Sequence, residues 1–316
     1  MVDVLVILDG ASEPIRAAGT ALERARTPVL DALGREGAVS RLRTVAPGLP
    51  AGSEAAIPAL LGWTPPAPVD RGAVEAAARG IDPAPGDRAW RVDVLAADGH
   101  RAGERATAHA AATLAAGAPA HAVHRIGGHR LLVVGPPPLP PSAHARLLHT
   151  WPEGLVPPRV LDADVVVIAA RGAAAGCARL LGASVVNPPG ATGAPDTDLH
   201  AKAAAALAAI ADGARRVVVH VGAPDEAAHQ RDAAGKVAVI ERIDRELIAP
   251  AAQAVARAGG SLAVCPDHGC DPATGEHDDQ PVPHLRWPDA NAPAGRLTER
   301  AVAGLPIAEL HLAAVA

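Results

Sequence analysis

Short aliphatic runs, each too brief for a helix of the core and rich in β-branched residues, constrain this chain most. They fall at 2–8 (Val-Asp-Val-Leu-Val-Ile-Leu), 164–169, 216–221 and 261–266. Runs of this length and composition read as buried strands. Helical patterns lie between them, at about 20–37, 54–61, 172–182, 200–213 and 234–258. Strands alternating with helices predict an α/β fold with a mostly parallel central sheet covered by helices on both faces. The core must be aliphatic, because the chain contains no Phe and no Tyr.

The texture changes after residue 65. Pro and Gly become frequent through 66–87 and again through 135–158, around an Ala-rich helix near 103–116 and a strand at 130–134. Pro-rich connections on either side predict a small inserted cap domain. The expected organisation is residues 1–65 as the first part of a core, 66–158 as the inserted cap or substrate domain, and 159–316 as the second part of the core.

Composition narrows the function classes. Net charge is −5, and only 1% of residues are aromatic. A nucleic-acid partner is therefore not expected, since neither a basic field nor stacking platforms are present. Lys202 and Lys236 are the only lysines, so 29 − 2 = 27 basic residues are Arg, the better bidentate clamp for phosphate and carboxylate. The apolar stretch 164–186 is interrupted by Arg171 and Arg179, so a membrane span is not expected. No basic region precedes the first apolar run, and Cys177, Cys265 and Cys270 show no disulfide framework. The expectation is a cytoplasmic protein with reduced thiols.

Three strand-like runs lead into acidic residues or His: Leu8 into Asp9, Val221 into Asp225, and Val264 into Asp267-His268. In open α/β sheets, ligands bind beyond the carboxyl ends of strands. Asp225 and His229 are four residues apart, which on a helical turn points both the same way. His277 follows nine residues after His268. Each piece alone reads as well as a turn residue or a helix cap; their ordered combination is far more specific. Gly190-Ala-Thr-Gly193 reads as a turn before a helix.

That combination resembles the alkaline phosphatase superfamily, and within it the cofactor-independent (2,3-bisphosphoglycerate-independent) phosphoglycerate mutases of the archaeal type. The residues carrying the resemblance are Val-Ile-Leu-Asp-Gly at 6–10, Thr-Pro-Val-Leu-Asp-Ala-Leu at 27–33 and Ala-Pro-Gly-Leu-Pro-Ala-Gly-Ser-Glu-Ala-Ala at 46–56. Further on come Arg-Gly-Ala-Val-Glu-Ala at 71–76, Gly-Ala-Thr-Gly-Ala-Pro-Asp-Thr-Asp at 190–198 and Asp-Glu-Ala-Ala-His at 225–229. Pro-Asp-His-Gly at 266–269 and His-Asp-Asp-Gln-Pro-Val-Pro at 277–283 close the match, which is thin across 95–185.

The resemblance implies an alkaline-phosphatase-like core holding two divalent metal ions. Asp9, Ser53, Asp267 and His268 would surround one, and Asp225, His229 and His277 the other. Mn²⁺ is the ion most expected, with Zn²⁺ or Mg²⁺ as alternatives; mixed carboxylate and imidazole donors without thiolate agree with this. Ser53 would be the nucleophile, activated by a metal and carrying a phosphoserine. Arg71, Arg91 and Arg130 would clamp a small phosphorylated acid. The expected activity is a phosphomutase of the 2-/3-phosphoglycerate type. Two departures favour an alternative, a metal-dependent phosphatase or phosphonate-processing hydrolase. The chain is short around 135–165, and Ala175 or a neighbour stands where the mutases place a substrate-contacting Lys. A catalytically dead binding protein is a third reading, opposed by retention of all seven core residues. The oligomeric state is not legible.

Overall fold

The computed structural model describes residues 2–139, 148–289 and 293–310. From residue 2 the chain forms β1 (Asp3–Leu8), α1 (Ala21–Arg24), α2 (Pro28–Glu36), β2 (Ala38–Arg43) and α3 (Ser53–Leu60). It continues through α4 (Arg71–Ala77), β3 (Arg88–Val94), α5 (Glu104–Gly117), β4 (Ala122–Arg125), β5 (Arg130–Gly135) and β6 (Leu148–Thr150). Then come β7 (Val165–Ile168), α6 (Ala173–Leu181), β8 (Ser184–Val186), α7 (Leu199–Ala211), β9 (Arg216–Val221), α8 (Ala223–His229) and α9 (Ala233–Ile243). A π-helical segment (Asp244–Ile248) leads into α10 (Ala249–Ala258), followed by β10 (Ser261–Cys265), β11 (Gly269–Asp271), β12 (Glu276–Asp278) and β13 (Val282–Trp287). The last elements are α11 (Glu299–Val302) and β14 (Ile307–Glu309). Two compact units result, one of Met1–Pro66 with Pro157–Ala316 and one of Ala67–Val156.

The larger unit is built on an eight-stranded sheet in the order β14-β2-β13-β10-β1-β9-β7-β8. The expected α/β architecture holds, with β10, β1, β9, β7 and β8 mutually parallel. Strand β13 runs antiparallel to both its neighbours, β10 and β2. That edge was not foreseen, because β2 and β13 alternate polar with apolar residues and lack the continuous aliphatic runs of strands buried on both faces. In β1 and β9 alternate residues divide between the sheet faces. Val4, Val6, Leu8, Val217, Val219 and Val221 enter one aliphatic core with residues of α1, α2, α7, α9 and α10. Ile7 and His220, paired in register, take the opposite face.

The continuous helix expected over 234–258 is interrupted by the π-helical segment. Pro250 supplies the reason: it has no N–H to offer a carbonyl four residues back, and one π turn absorbs the lost hydrogen bond. Asp244 in that turn is buried, and its carboxylate accepts hydrogen bonds from Val29 N (3.1 Å) and Leu30 N (2.8 Å) at the start of α2. The segment thereby caps another helix.

The smaller unit is a four-stranded antiparallel sheet, β4-β5-β3-β6. Trp90, Val92, Leu131 and Val133 of that sheet pack against Ala110, Ala111 and Leu114 of α5.

His284 on β13 lies opposite Ser40 on β2, with its Nδ1 3.1 Å from Ser40 Oγ. Burial, then the charge of Arg286, lowers its pKa to about 4. The unfolded chain takes up this proton near pH 6.5, the folded chain only near 4, so stability falls as pH drops between those values. The loss reaches about 3 kcal/mol. Replacement His284→Gln is expected to flatten that limb of the stability–pH curve, measured by urea unfolding at each pH.

Candidate metal centre

Strand order builds this centre. β1 lies between β9 and β10, all parallel, so their carboxyl ends open at one edge. Asp9 follows β1 directly. Asp267 follows β10, and its Oδ1 accepts from Gly10 N and His268 N, both at 3.0 Å. Thr44 Oγ1 donates to the Asp267 carbonyl. Asp225 and His229 occupy α8, and their side chains meet as the four-residue spacing requires, with Nε2 3.2 Å from Oδ2. His277 comes from the β11–β12 hairpin, where it pairs with Cys270.

The structure brings together all seven sequence-predicted residues of the larger unit. Ser53 Oγ donates to Asp9 Oδ1 at 3.2 Å and lies 3.5 Å from His268 Nε2. His268 Nε2 is 3.3 Å from Asp9 Oδ1, and His277 Nε2 is 3.2 Å from Asp225 Oδ1. Ser53 is the first residue of α3, so its oxygen sits at the positive end of a helix.

The three imidazoles share one hydrogen-bonding scheme. Nδ1 of His229 meets the Gly275 carbonyl at 2.8 Å, that of His268 the Gly269 carbonyl at 3.1 Å, and that of His277 the Ala51 carbonyl at 3.0 Å. A carbonyl only accepts, so each Nδ1 donates its proton there and each Nε2 is turned toward the carboxylates, the orientation of metal-ligating histidines. His229 and His277 then set Nε2 against Nε2 at 3.0 Å. A cation in place of a proton between them would be shared by both nitrogens. Asp225 Oδ1 and Asp267 Oδ2 are buried without a hydrogen-bond partner. The donor set therefore fits divalent metal ions: Asp225, His229 and His277 could hold one, and Asp9, Asp267 and His268 beside Ser53 another, with His268 Nε2 3.3 Å from Asp9 Oδ1 and 3.6 Å from Asp267 Oδ2. Cys270 is not needed. Its Sγ lies 4.0 Å from His229 Nδ1, on the edge of the ring opposite Nε2, and burial pushes the thiol pKa well up.

Charge is densely coupled here. Burial and Asp225 raise the Asp9 carboxyl, but His220 and His268 outweigh them and hold it at about 2. Burial opposes ionisation of Asp225 too, yet His229 and His277 keep it well below the usual range. Asp267 goes the other way, pushed up to about 6 by burial and by Asp9.

Several residues of this surround escaped the sequence reading. His220 of β9 lies 3.1 Å from Asp9 Oδ2 through its Nε2. It sits inside a strand rather than beyond a strand end, and its signal in the sequence is a polar residue within Val-Val-Val-His-Val. Lys202 is fully buried in α7 and donates to the His220 carbonyl at 2.7 Å. Burial lowers its pKa to about 8, against the pull of Asp9. Lys236 of α9, also fully buried, donates to Glu13 Oε2 (2.9 Å), the Ser12 carbonyl (3.2 Å) and the Cys270 carbonyl (2.7 Å). One ammonium thus ties the loop after Asp9 to the strand that pairs with His277.

The sequence-predicted arginines lie in the smaller unit, around Glu75, Asp93 and Trp151. Arg91 is buried and committed within that unit, Nη1 to Glu75 (2.9 Å) and Nε to Asp93 (2.9 Å). Arg71 Nε is 3.7 Å from Glu75, and Arg79 is 2.6 Å from it. Burial would raise Glu75, but Arg71, Arg91 and Arg79 hold it down. Arg130 is half-buried, its pKa lowered by burial and then by Arg91. Counting Arg71, Arg79, Arg91 and Arg130 against Glu75 and Asp93 leaves the cluster positive, a setting for an anion. Ala175, which the resemblance sets near a Lys of the mutases, is fully buried in α6.

Comparison with known proteins places these observations. The family described as the Metalloenzyme superfamily matches residues 1–309. The 2,3-bisphosphoglycerate-independent phosphoglycerate mutase of Methanopyrus kandleri is 29% identical over 368 aligned residues, covering 90% of this chain and 87% of the relative. Among solved structures, the PH0037 protein of Pyrococcus horikoshii superposes with a TM-score of 0.80 at 23% identity, over 98% of this chain and 94% of that one. The cofactor-independent phosphoglycerate mutase of Thermoplasma acidophilum gives 0.57 at 18% identity, over 98% and 97%. At those identities the two structures establish the fold.

Gly10 is the tightest point of the centre. Its φ is +57°, and a Cβ there would lie 2.4 Å from Asp225 Oδ1. Replacement Gly10→Ala is expected to cost roughly 1–3 kcal/mol of stability from backbone strain alone. Displacing Asp225 should also weaken divalent-cation binding about tenfold or more. Gly48 has φ +86° and open space around it. Gly48→Ala should therefore lose stability and keep its cation affinity, as read by calorimetric titration with Mn²⁺.

Proposed function

The chain belongs to the Metalloenzyme superfamily, and from that premise we propose that it is a two-metal phosphoryl-transfer enzyme working through a phosphoserine on Ser53. The reaction proposed is the interconversion of 2- and 3-phosphoglycerate, the activity named for the Methanopyrus kandleri relative. One observation carries the reading: Ser53 Oγ stands at the start of α3, within 3.2 Å of Asp9 and 3.5 Å of His268. A nucleophile, a carboxylate and an imidazole meet there at a helix end that favours anions.

The metal ligands proposed are Asp9, Ser53, Asp267 and His268 for one ion and Asp225, His229 and His277 for the other. Mn²⁺ is the proposed ion, since the donors are oxygen and imidazole nitrogen. When bound, two divalent ions lower the pKa of the serine hydroxyl and neutralise charge on the transferring phosphoryl group. Ser53 Oγ gives up its proton and attacks phosphorus, the bond to the substrate's alcohol oxygen breaks, and that oxygen takes up a proton, so protons balance over the half-reaction. In the second half, another hydroxyl of the same alcohol attacks the phosphoserine and the bond to Oγ breaks. Arg71 and Arg130 are proposed to bind the substrate's acid group, with Arg91 holding Glu75 and Asp93 in position. Ala175, buried near the expected site of a Lys, keeps the phosphatase reading open: water in place of the second hydroxyl would release inorganic phosphate.

Ser53→Ala is expected to lower kcat on the order of a thousandfold or more. The phosphorylated peptide containing Ser53, found by mass spectrometry in wild type quenched during turnover, should vanish with it. An active Ser53→Ala variant would sink the phosphoserine. Arg130→Ala should raise KM for phosphoglycerate about tenfold with a smaller change in kcat. Phosphate release exceeding isomerisation in the same assay would favour the phosphatase.

A further inference from the structure

His220 is unaccounted for by the seven-residue centre. It is the polar residue within Val-Val-Val-His-Val on a strand flanked by parallel neighbours, and it is 8% exposed. A buried imidazole at such a position is costly unless its nitrogens are engaged. Register shows what surrounds it. His220 pairs with Ile7 on β1, and Ile7 pairs with Cys265 on β10. Asp9 lies two residues beyond Ile7 and Asp267 two beyond Cys265. With alternation every second residue, all three side chains share one face of three adjacent strands.

The atoms confirm the convergence. His220 Nε2 is 3.1 Å from Asp9 Oδ2, yet it is buried and makes no aligned hydrogen bond. Asp267 Oδ2 is likewise buried without a hydrogen-bond partner, with His268 Nε2 3.6 Å away. Donor atoms of Asp9, His220 and Asp267 lie within 4.8 Å of one another. The two oxygens of Asp9 face different sides, Oδ1 toward Ser53 and His268 and Oδ2 toward His220. Lys202, donating to the His220 carbonyl, holds the strand at this point.

We propose that His220 is a further metal ligand, contributing Nε2 to the ion held by Asp9 and Asp267. The inference rests on the two-metal reading above and adds an eighth residue to it. An added imidazole makes that position richer in nitrogen and shifts its preference from Mg²⁺ toward Zn²⁺ or Co²⁺.

The test uses the metal alone. Wild-type chain and His220→Gln, both stripped by chelator, are titrated calorimetrically with Zn²⁺. Wild type should bind two ions; in His220→Gln one of them should weaken at least about tenfold while the other keeps its affinity. Loading with Co²⁺ should give a visible spectrum altered in the variant. In case the variant folds poorly, ring-nitrogen NMR of histidine-labelled, Zn²⁺-loaded wild type is the second measurement. Four rings should show a metal-bound Nε2, those of His220, His229, His268 and His277. Three metal-bound rings, or two ions bound by His220→Gln with wild-type affinity and spectrum, would overturn this inference and leave the two-metal reading standing. A wild type that binds no Zn²⁺ would overturn both.

Discussion

Buried like charge is the constraint on which the rest of this structure depends. Asp9, Asp225 and Asp267 lie close enough that each alters the ionisation of a neighbour. Carboxylates withdrawn from water cannot remain ionised together without compensation. The fold supplies it from every side. His229, His268 and His277 turn their Nε2 atoms inward because backbone carbonyls hold Nδ1. Backbone N–H groups of Gly10 and His268 meet Asp267 Oδ1. What they leave, buried oxygens without hydrogen-bond partners and facing imidazole nitrogens, is what a divalent cation would satisfy.

Charges need fixed positions, and those come from three parallel strands whose register is set by aliphatic alternation. Lys236 fixes the remaining freedom by joining the loop after β1 to the β11–β12 hairpin. Its three carbonyl and carboxylate partners match the three donors of an ammonium, so the charge is buried with its hydrogen bonds made.

Much of this was legible in sequence. Continuous Val-Leu-Ile runs betray strands buried on both faces, and their acidic sequels lie past the strand ends, so Asp9, Asp225 and Asp267 could be read directly. The four-residue spacing of Asp225 and His229 survives as a contact on α8. What escaped has physical reasons. β2 and β13 are half-polar and look like loops. The π turn at 244–248 needs knowledge of how Pro250 is accommodated in three dimensions. His220 carries no spacing motif, since its partners Asp9 and Asp267 are reached across the sheet. Arg91 reads in sequence as a clamp for a phosphorylated acid, and only packing reveals that Glu75 and Asp93 engage it.

The Arg71 and Arg91 guanidinium carbons lie 5.5 and 5.2 Å from the Trp151 ring centre, while the Trp151 indole N–H donates to Asp93 at 2.9 Å. The chain has four Trp and no Tyr. Its near-ultraviolet emission therefore comes from indole alone, and one of the four fluorophores sits against the cationic cluster. Any anion that draws Arg71 away from that ring changes the indole's electrostatic surroundings. The protein thus carries a built-in optical reporter for occupancy of its arginine cluster, free of tyrosine background and needing no label.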